Sequence, residues 1–205
     1  MSDFNIVLIG TGGHAKSCID VVESQGLYQI IGLVGFAEQV GDKVLGHKVI
    51  GTDLDLSEIR KKCKNAIVAV GQIKSPSLRV DLYEKLLATD FSFPVIQSPA
   101  AYVSKYSRIG QGTIVMPQAT VMPGAQIGTN SIVNTNSLIE HDSRIGNDCH
   151  VSTGAVINGN VKIGDGTFVG SGAILMQGIE IGINCVIGMG AIVRKDVGDG
   201  ELVIK

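Results

Sequence analysis

His141 stands in the most suggestive chemical surroundings in this sequence, because it lies directly between Glu140 and Asp142. A carboxylate bonded to one ring nitrogen of a histidine fixes its tautomer and stabilises the imidazolium that forms when the other nitrogen takes a proton. The triplet is therefore typical of a histidine that transfers protons. Asp142 is slightly favoured as the ring's partner, and Glu140 stays open, as does a plain surface histidine.

Two more histidines occupy positions from which they can contact a ligand. His150 follows His141 by nine residues, and His14 lies in the glycine-rich segment Gly10–Lys16. For both, a surface or turn histidine without a ligand is the alternative. His47, between a glycine and a lysine, is predicted to lie in a surface loop.

The second half of the chain is built on a six-residue repeat. From Val103 to Val193 an aliphatic residue recurs at every sixth position, sixteen times without a break. The residue four places after each aliphatic residue is usually small, and the residue directly after each aliphatic residue is often glycine. One such unit is a short strand and a turn, and three units make a triangular coil with the aliphatic side chains stacked inside. The repeat predicts about five coils, roughly 25 Å of stack at a strand spacing of about 4.8 Å.

This repeat decides where the reactive side chains lie. His141 follows the inward Ile139 by two residues, so it is expected at a turn and pointing outward. His150 is half a coil further on and should lie on a different face of the same subunit. The two imidazoles are therefore expected to meet only if neighbouring subunits each contribute one. Cys149 and Cys185 occupy inward positions two coils apart, roughly 9–10 Å, which is too far for a disulfide.

The first half of the chain alternates strands and helices, which predicts a small parallel sheet. The glycine-rich turn joins the first strand to the first helix. We expect one domain over residues 1–97 and the coils over residues 98–205. The predicted strands are 4–10, 30–36 and 66–70; the predicted helices run from the glycine turn to about 25, over 54–63 and over 78–88.

The turn Gly10-x-Gly12-x-x-Ala15 fits a phosphate-binding fingerprint loosely. It follows a strand and opens a helix, where backbone N–H groups and the helix dipole can hold a phosphate. About 97 residues supply only one mononucleotide-binding half, so a single nucleotide or a nucleotide-sugar fits better than a dinucleotide. A tight turn without a ligand is the alternative.

Composition narrows the function classes. The formal net charge is −2, so there is no basic field for nucleic acid or an anionic membrane. The sequence has neither a signal-peptide pattern nor an apolar run of membrane-spanning length. The four cysteines form no zinc-ligand pattern. We expect a cytoplasmic protein with free thiols and no metal.

Taken together, the motifs resemble those of the hexapeptide-repeat acyltransferase superfamily. A small nucleotide-binding domain followed by the repeat is similar to bacterial nucleotide-sugar acetyltransferases that N-acetylate 4-amino sugars, whose relatives O-acetylate sialic acid. The resemblance covers nearly the whole chain. It rests on Gly10-Thr11-Gly12-Gly13-His14-Ala15-Lys16, Ala69-Val70-Gly71 with Arg79, Asn134 to Asp142 around Ile139-Glu140-His141-Asp142, and His150-Val151-Ser152.

The resemblance implies a small parallel-sheet, Rossmann-like α/β domain followed by a left-handed parallel β-helix. It implies a homotrimer with active sites between subunits, acetyl-CoA as co-substrate, and His141 as general base beside Asp142 or Glu140. We expect acetyl-CoA at His150 and at the small-residue turns Gly159, Gly170, Gly172, Gly188 and Gly190. We expect the nucleotide-sugar at Gly10, Gly12, Gly13, His14, Glu38, Arg79 and Asn134.

One departure leaves the nucleotide open. The family often has Phe-x-Asp-Asp after the second strand, whereas this chain has Phe36-Ala37-Glu38-Gln39. Both UDP and GDP therefore stay possible. Two other functions remain as alternatives: O-acetylation of a sugar hydroxyl, as on sialic acid, and a non-catalytic β-helix that only binds a partner.

Overall fold

The computed structural model describes residues 4–204, which form an N-terminal α/β domain and a left-handed parallel β-helix. The α/β domain has a five-stranded sheet in the order β3-β4-β2-β1-β5, in which all pairings are parallel except that of β3 with β4. Its elements are β1 (Asn5–Ile9), α1 (Gly13–Gln25), β2 (Gln29–Val34), β3 (Lys43–Val44), β4 (His47–Gly51), α2 (Leu56–Arg60), β5 (Asn65–Val68) and α3 (Ser77–Ala88).

Two features of this domain differ from the sequence prediction. The predicted loop around His47 is wrong, because His47 begins β4, whose Val49 is buried and pairs with Leu33 of β2. Only two aliphatic residues mark this short strand, so its sequence signal was weak. The helix predicted over 54–63 is shorter and is preceded by a 3₁₀ turn at Asp53–Asp55, which the Thr52 hydroxyl caps by accepting from the N–H of Leu54.

The coils contain eighteen short strands within the described residues. They are β6 (Ile96–Gln97), β7 (Tyr102–Val103), β8 (Arg108–Ile109), β9 (Ile114–Val115), β10 (Thr120–Val121), β11 (Gln126–Ile127), β12 (Ile132–Val133), β13 (Leu138–Ile139), β14 (Arg144–Ile145), β15 (His150–Val151), β16 (Val156–Ile157), β17 (Lys162–Ile163), β18 (Phe168–Val169), β19 (Ile174–Leu175), β20 (Glu180–Ile181), β21 (Val186–Ile187), β22 (Ile192–Val193) and β23 (Leu202–Val203).

These strands form the three faces of a prism. Sheet I runs β23-β21-β18-β15-β12-β9-β6, sheet II runs β22-β19-β16-β13-β10-β7, and sheet III runs β20-β17-β14-β11-β8. Each strand pairs in parallel with the strand one coil away, as Thr120 does with Leu138. The repeat's aliphatic residues line one continuous core, which confirms the predicted inward stack. The first coil strand, Ile96–Gln97, lies just before residue 98.

Sheet I is the face on which the α/β domain packs. Its outward residues Ile96, Ile114 and Ile132 share one buried cluster with β1 and α1 of the α/β domain. His150 is the next residue in this outward row, because it pairs with Ile132. The packing therefore places His150 at the junction of the two domains. In the described part of the chain no helix is both long enough and apolar enough to cross a membrane.

Candidate active site

His141 lies on the turn between sheet II and sheet III and points outward, as the repeat predicts. Its side chain is 61% exposed, and its Nδ1 lies 2.9 Å from Oδ2 of Asp142. Asp142 has a φ of 61°, a left-handed conformation that aspartate tolerates better than most residues. This backbone conformation turns the carboxylate back onto the preceding ring.

The two flanking carboxylates have different contacts. Oε2 of Glu140 accepts a hydrogen bond from the backbone N–H of His141 at 3.3 Å, while Asp142 contacts the ring. A carboxylate on Nδ1 favours the tautomer with the proton on Nδ1, which leaves Nε2 free to accept a proton. The geometry therefore gives the ring contact to Asp142.

Gly159 lies one coil above His141. A Cβ placed on Gly159 would come within 2.7 Å of Nε2 and 2.8 Å of Cε1 of the imidazole. The coil also holds the turn from above, since the N–H of Asn160 donates to the carbonyl of His141 at 2.9 Å. Gly159, expected at the acetyl-CoA site, thus contacts the candidate base directly.

His150 is buried at the domain junction, with 6% of its surface exposed. Its Nδ1 lies 2.7 Å from the carbonyl oxygen of Gln72, and its Nε2 lies 3.0 Å from Nδ2 of Asn134. A carbonyl can only accept, so Nδ1 carries the proton. The Oδ1 of Asn134 accepts from the N–H of Thr135, which turns the Asn134 amide N–H toward Nε2 of His150.

His14 lies beside His150, with their ring centroids 6.5 Å apart. Burial, with the nearby charge of Arg79, lowers the pKa of His150 to about 4 and that of His14 to about 3. The His14 Nε2 atom is buried and has no hydrogen-bond partner among the described residues. Both imidazoles are therefore neutral at pH 7, and His150 acts as a hydrogen-bonding group through both ring nitrogens.

The glycine turn presents open backbone to solvent. Gly10 has a φ of 129°, and a Cβ there would lie 2.9 Å from the carbonyl oxygen of Ala69, so the turn needs glycine. Gly12 and Gly13 are exposed, with no atom near a Cβ placed on either. No side chain caps α1 at Gly12, which leaves its first N–H groups available to an anion.

Glu38 and Arg79, both expected to contact the nucleotide, have opposite environments. Glu38 is exposed in a 3₁₀ turn after β2. Arg79 is 1% exposed, and its guanidinium donates to backbone carbonyls and to Asn130 inside the domain junction. The guanidinium contacts of Arg79 all lie inside the junction of the two domains, and its predicted contact with the nucleotide stays a prediction.

The remaining predicted donor-site glycines form a column at the corner between sheets I and II. Asn134, Gly170 and Gly188 occupy equivalent turn positions, with Gly172 and Gly190 exposed beside them at a φ of 66°. Gly159 and His141 belong to the corner between sheets II and III. The predicted site residues of one subunit therefore fall on two corners that flank sheet II.

The sequence did not reveal the contact of Gln72 with His150. Gln72 makes this contact through its backbone carbonyl, and the type of side chain at a position does not indicate such a contact. The contact of Gly159 with His141 could have been found, since the two are 18 residues, or one coil, apart. The described residues contain no group of histidine, cysteine and carboxylate side chains that could hold a metal ion.

Comparison with family sequences matches the two parts of the chain to different families. Residues 5–86 match the PglD N-terminal domain. Residues 106–141 and 142–177 match the bacterial transferase hexapeptide, and residues 160–195 match the hexapeptide repeat of succinyl-transferase. Among curated proteins, none matches the chain significantly.

Solved structures match along almost the entire length. The acetyltransferase domain of PglB from Neisseria gonorrhoeae is 32% identical, with a TM-score of 0.90 over 97% of this chain and 95% of that one, and is also known with acetyl coenzyme A. A histidine mutant of perosamine N-acetyltransferase from Caulobacter crescentus, with CoA and GDP-perosamine, is 32% identical, with a TM-score of 0.92 over 98% and 93%. WeeI from Acinetobacter baumannii is 25% identical, with a TM-score of 0.88 over 98% and 96%.

Proposed function

The chain belongs to the family of sugar N-acetyltransferases in which a PglD N-terminal domain precedes hexapeptide repeats, and from this premise we propose that it acetylates the 4-amino group of a nucleotide-linked amino-deoxy sugar. It is an acetyl-CoA-dependent acyltransferase that acts on a sugar. The observation that carries the finer proposal is the exposed imidazole of His141. Its Nδ1 contacts Asp142, and its Nε2 lies in space that a side chain at Gly159 would fill.

In the proposed reaction the sugar amine attacks the thioester carbon of acetyl-CoA directly. The C–N bond forms, Nε2 of His141 takes the proton that the amine loses, and Asp142 stabilises the imidazolium. The C–S bond then breaks, and the departing thiolate of CoA takes up the proton from the imidazolium. General-base assistance of this kind is worth about 10²–10⁴-fold in rate.

The nucleotide-sugar is assigned to the α/β domain. Gly10 permits the turn, and the uncapped start of α1 at Gly12 and Gly13 offers N–H groups to a diphosphate. The exposed carboxylate of Glu38 lies after β2, at the same edge of the sheet, and is assigned to the nucleoside. His14, whose buried Nε2 lacks a partner among the described residues, is assigned to the sugar.

Acetyl-CoA is assigned to the corner between sheets I and II. His150 and Asn134 lie at its start, and the turns at Gly170 and Gly188 continue the corner toward the last coils. Exposed Gly172 and Gly190 let a pantetheine arm approach the backbone of both turns. The fixed amide of Asn134 is a donor for a carbonyl of that arm.

These assignments place the base and the donor on two corners of one chain, which supports a site shared between subunits of a homotrimer. Sheet II, between the corners, exposes an apolar row, whereas sheet III exposes a polar one. Packing sheet II around a threefold axis would cover the apolar row and bring one subunit's His141 to the next subunit's His150. The sheet II row is Tyr102, Thr120, Leu138, Val156, Ile174 and Ile192, in which Thr120 interrupts the apolar residues; the sheet III row is Arg108, Gln126, Arg144, Lys162 and Glu180.

The proposal is tested by incubating the enzyme with acetyl-CoA and a panel of GDP- and UDP-linked 4-amino-6-deoxy sugars, with sialic acid as the hydroxyl acceptor. Thiol release and the product mass identify the acceptor. We expect turnover with at least one amino sugar and an acetamide product. Turnover of sialic acid alone would establish O-acetylation instead, and no turnover of any acceptor would contradict both.

Two variants connect that activity to the site. His141→Ala should lower kcat by at least about a hundredfold, the scale of general-base catalysis, while leaving the oligomer intact. His47→Ala is the matched control, since His47 pairs with Glu23 on the α/β domain, away from both corners. Near-normal turnover by His141→Ala would refute the assigned base.

A further inference from the structure

Arg79 is a buried cation that has no direct carboxylate partner among the residues the structure describes. It is the third residue of α3 and is 1% exposed. One guanidinium nitrogen, Nη1, donates to the carbonyl oxygens of Val68, at 3.0 Å, and of Val70. The other, Nη2, donates at 2.9 Å to both the carbonyl oxygen and Oδ1 of Asn130. Burial lowers the pKa of Arg79 to about 10, so it remains charged at neutral pH.

These contacts join two parts of the molecule that the chain places far apart. Val68 ends β5 of the α/β domain, whereas Asn130 lies at the coil corner between sheets III and I. Asn130 is fully buried with a φ of 48°, and its Nδ2 donates in turn to Asp148 at 2.7 Å. The guanidinium therefore fastens the end of β5 onto the prism.

The fastened segment continues to the residue that holds His150. Gln72 is two residues beyond Val70, and its carbonyl accepts the Nδ1–H of His150 at 2.7 Å. Its side chain is buried and donates to the carbonyl of Gly166 at 3.0 Å. The segment from Val68 to Gln72 is thus held at its start by Arg79 and at its end by the coil.

We propose that Arg79 is a positioning residue, which holds the Gln72 carbonyl against Nδ1 of His150 and so fixes the tautomer in which Nε2 of His150 is an acceptor. The contacts of Arg79 with Val68, Val70 and Asn130 form a clamp on this segment. Through the Nε2 acceptor of His150 the clamp also orients Asn134, whose Nδ2 contacts Nε2. The effect on acetyl-CoA binding rests on the function proposed above. The effect on the tautomer does not, and can be measured without any turnover.

The geometry requires the fork of arginine. Nη1 reaches the carbonyls of Val68 and Val70 while Nη2 reaches two oxygens of Asn130, a planar arrangement that a single ammonium cannot reproduce. Arg79→Lys would keep the charge but lose one side of the clamp. Arg79→Lys therefore separates the effect of the positive charge from the effect of the hydrogen bonds that the fork makes.

The test is the ring ¹⁵N spectrum of the full chain labelled at its four histidines. At pH 7 the wild-type His150 should show a protonated Nδ1 and an unprotonated Nε2. In Arg79→Met and Arg79→Lys the two signals should move toward each other as both tautomers become populated. The KM for acetyl-CoA should rise about tenfold, as for one lost hydrogen bond of ordinary strength, with the KM for the sugar changing less than about twofold.

Two further variants complete the test. Lys85→Met removes an exposed cation of the same helix, paired with Asp53, and should leave the His150 signals unchanged. If Arg79→Met does not fold by circular dichroism, Asn130→Gly decides the matter. Glycine adopts the left-handed conformation, and the substitution removes the Oδ1 that accepts from Arg79 together with the Nδ2 that donates to Asp148. An unchanged His150 tautomer in a folded Arg79→Met or in Asn130→Gly would overturn the proposal. So would an unchanged His150 tautomer in Arg79→Lys, which keeps the charge but not the fork.

Discussion

Gly159 leaves the space that the His141 imidazole occupies: a Cβ on Gly159 would lie 2.7 Å from Nε2, the atom assigned to accept the proton. The φ of Gly159 is not positive, so its backbone conformation is one that alanine can adopt. The glycine is required by the neighbouring ring and not by its own conformation. One missing side chain in one coil thus sets the position of the reactive atom in the coil below.

Gly159→Ala is therefore expected to reduce activity without unfolding the protein. The new methyl group would push the exposed ring away from Asp142, because an exposed side chain can move at little cost. We expect kcat to fall at least about tenfold, through lost orientation of the base. Steady-state kinetics and thermal unfolding measured side by side check this result.

A double-mutant cycle supplies the control. If the methyl group acts through the imidazole, Gly159→Ala should add little to the loss already caused by His141→Ala. Additive losses would contradict the mechanism, since they would place the effect of the methyl group somewhere other than on His141.

The two carboxylates beside His141 are expected to differ in their effect on turnover. Asp142→Asn keeps the left-handed backbone but removes the charge that stabilises the imidazolium, so kcat should fall by about 10–10³-fold. Glu140→Gln changes a group whose hydrogen bond, among the described residues, is to the backbone N–H of His141, and it should keep kcat within about threefold. The comparison is kcat at saturating concentrations of both substrates, and a larger loss in Glu140→Gln would reverse the assignment.

Much of the fold could be predicted because the repeat is a strict physical pattern. Each inward aliphatic residue must stack on its equivalents, so the register of Ile139 fixes the outward direction of His141 two residues later. In the α/β domain the pattern is weaker. β4 has only Val49 and Ile50 to mark it, and its pairing with β2 is a long-range contact that no local propensity encodes.

The candidate site was less predictable for a similar reason. Arg79 stands among markers that suggest a ligand contact, yet it is buried against the carbonyls of Val68, Val70 and Asn130. A motif specifies which residues occur together, but only the packing of two domains decides which face a ligand. The sequence predicted that His150 lies on a different face from His141, whereas the burial of His150 and its contact with Gln72 depend on that packing.

Acid is expected to destabilise the protein through its buried histidines. The unfolded chain protonates His150 near the ordinary histidine pKa of 6.5, whereas burial lowers the pKa of His150 in the folded chain to about 4. Between these values the unfolded state binds more protons, so the free energy of unfolding falls as the pH is lowered from 6.5 to 4. His150 alone accounts for about 3 kcal/mol as an upper bound.

Urea denaturation at several pH values tests this linkage. His150→Asn removes the titrating group, so its free energy of unfolding should fall less steeply over the same pH range than that of the wild type. Equal slopes in the two proteins would contradict the burial argument. Below about pH 4 both states are protonated at residue 150, and the difference in slope should vanish.

The thiols are expected to take no part in catalysis. All four cysteines are buried, and burial raises the pKa of Cys149 to about 12, so its thiolate is scarce at neutral pH. A thiol-specific reagent should therefore label the native protein slowly and all four thiols after unfolding. Mass spectrometry during turnover should detect no acetylated cysteine, and a transient acetyl-thioester on Cys149 would refute direct transfer.

The shared site predicts that two inactive variants can restore each other. His141→Ala and His150→Asn each damage a different corner of the subunit. If the proposed site takes His141 from one subunit and His150 from its neighbour, random mixed trimers assemble both native residues at about a quarter of their sites. Unfolding and refolding the two variants together should then recover up to about that fraction of wild-type turnover. A site contained within one chain would recover none, because every chain in the mixture carries one of the two lesions.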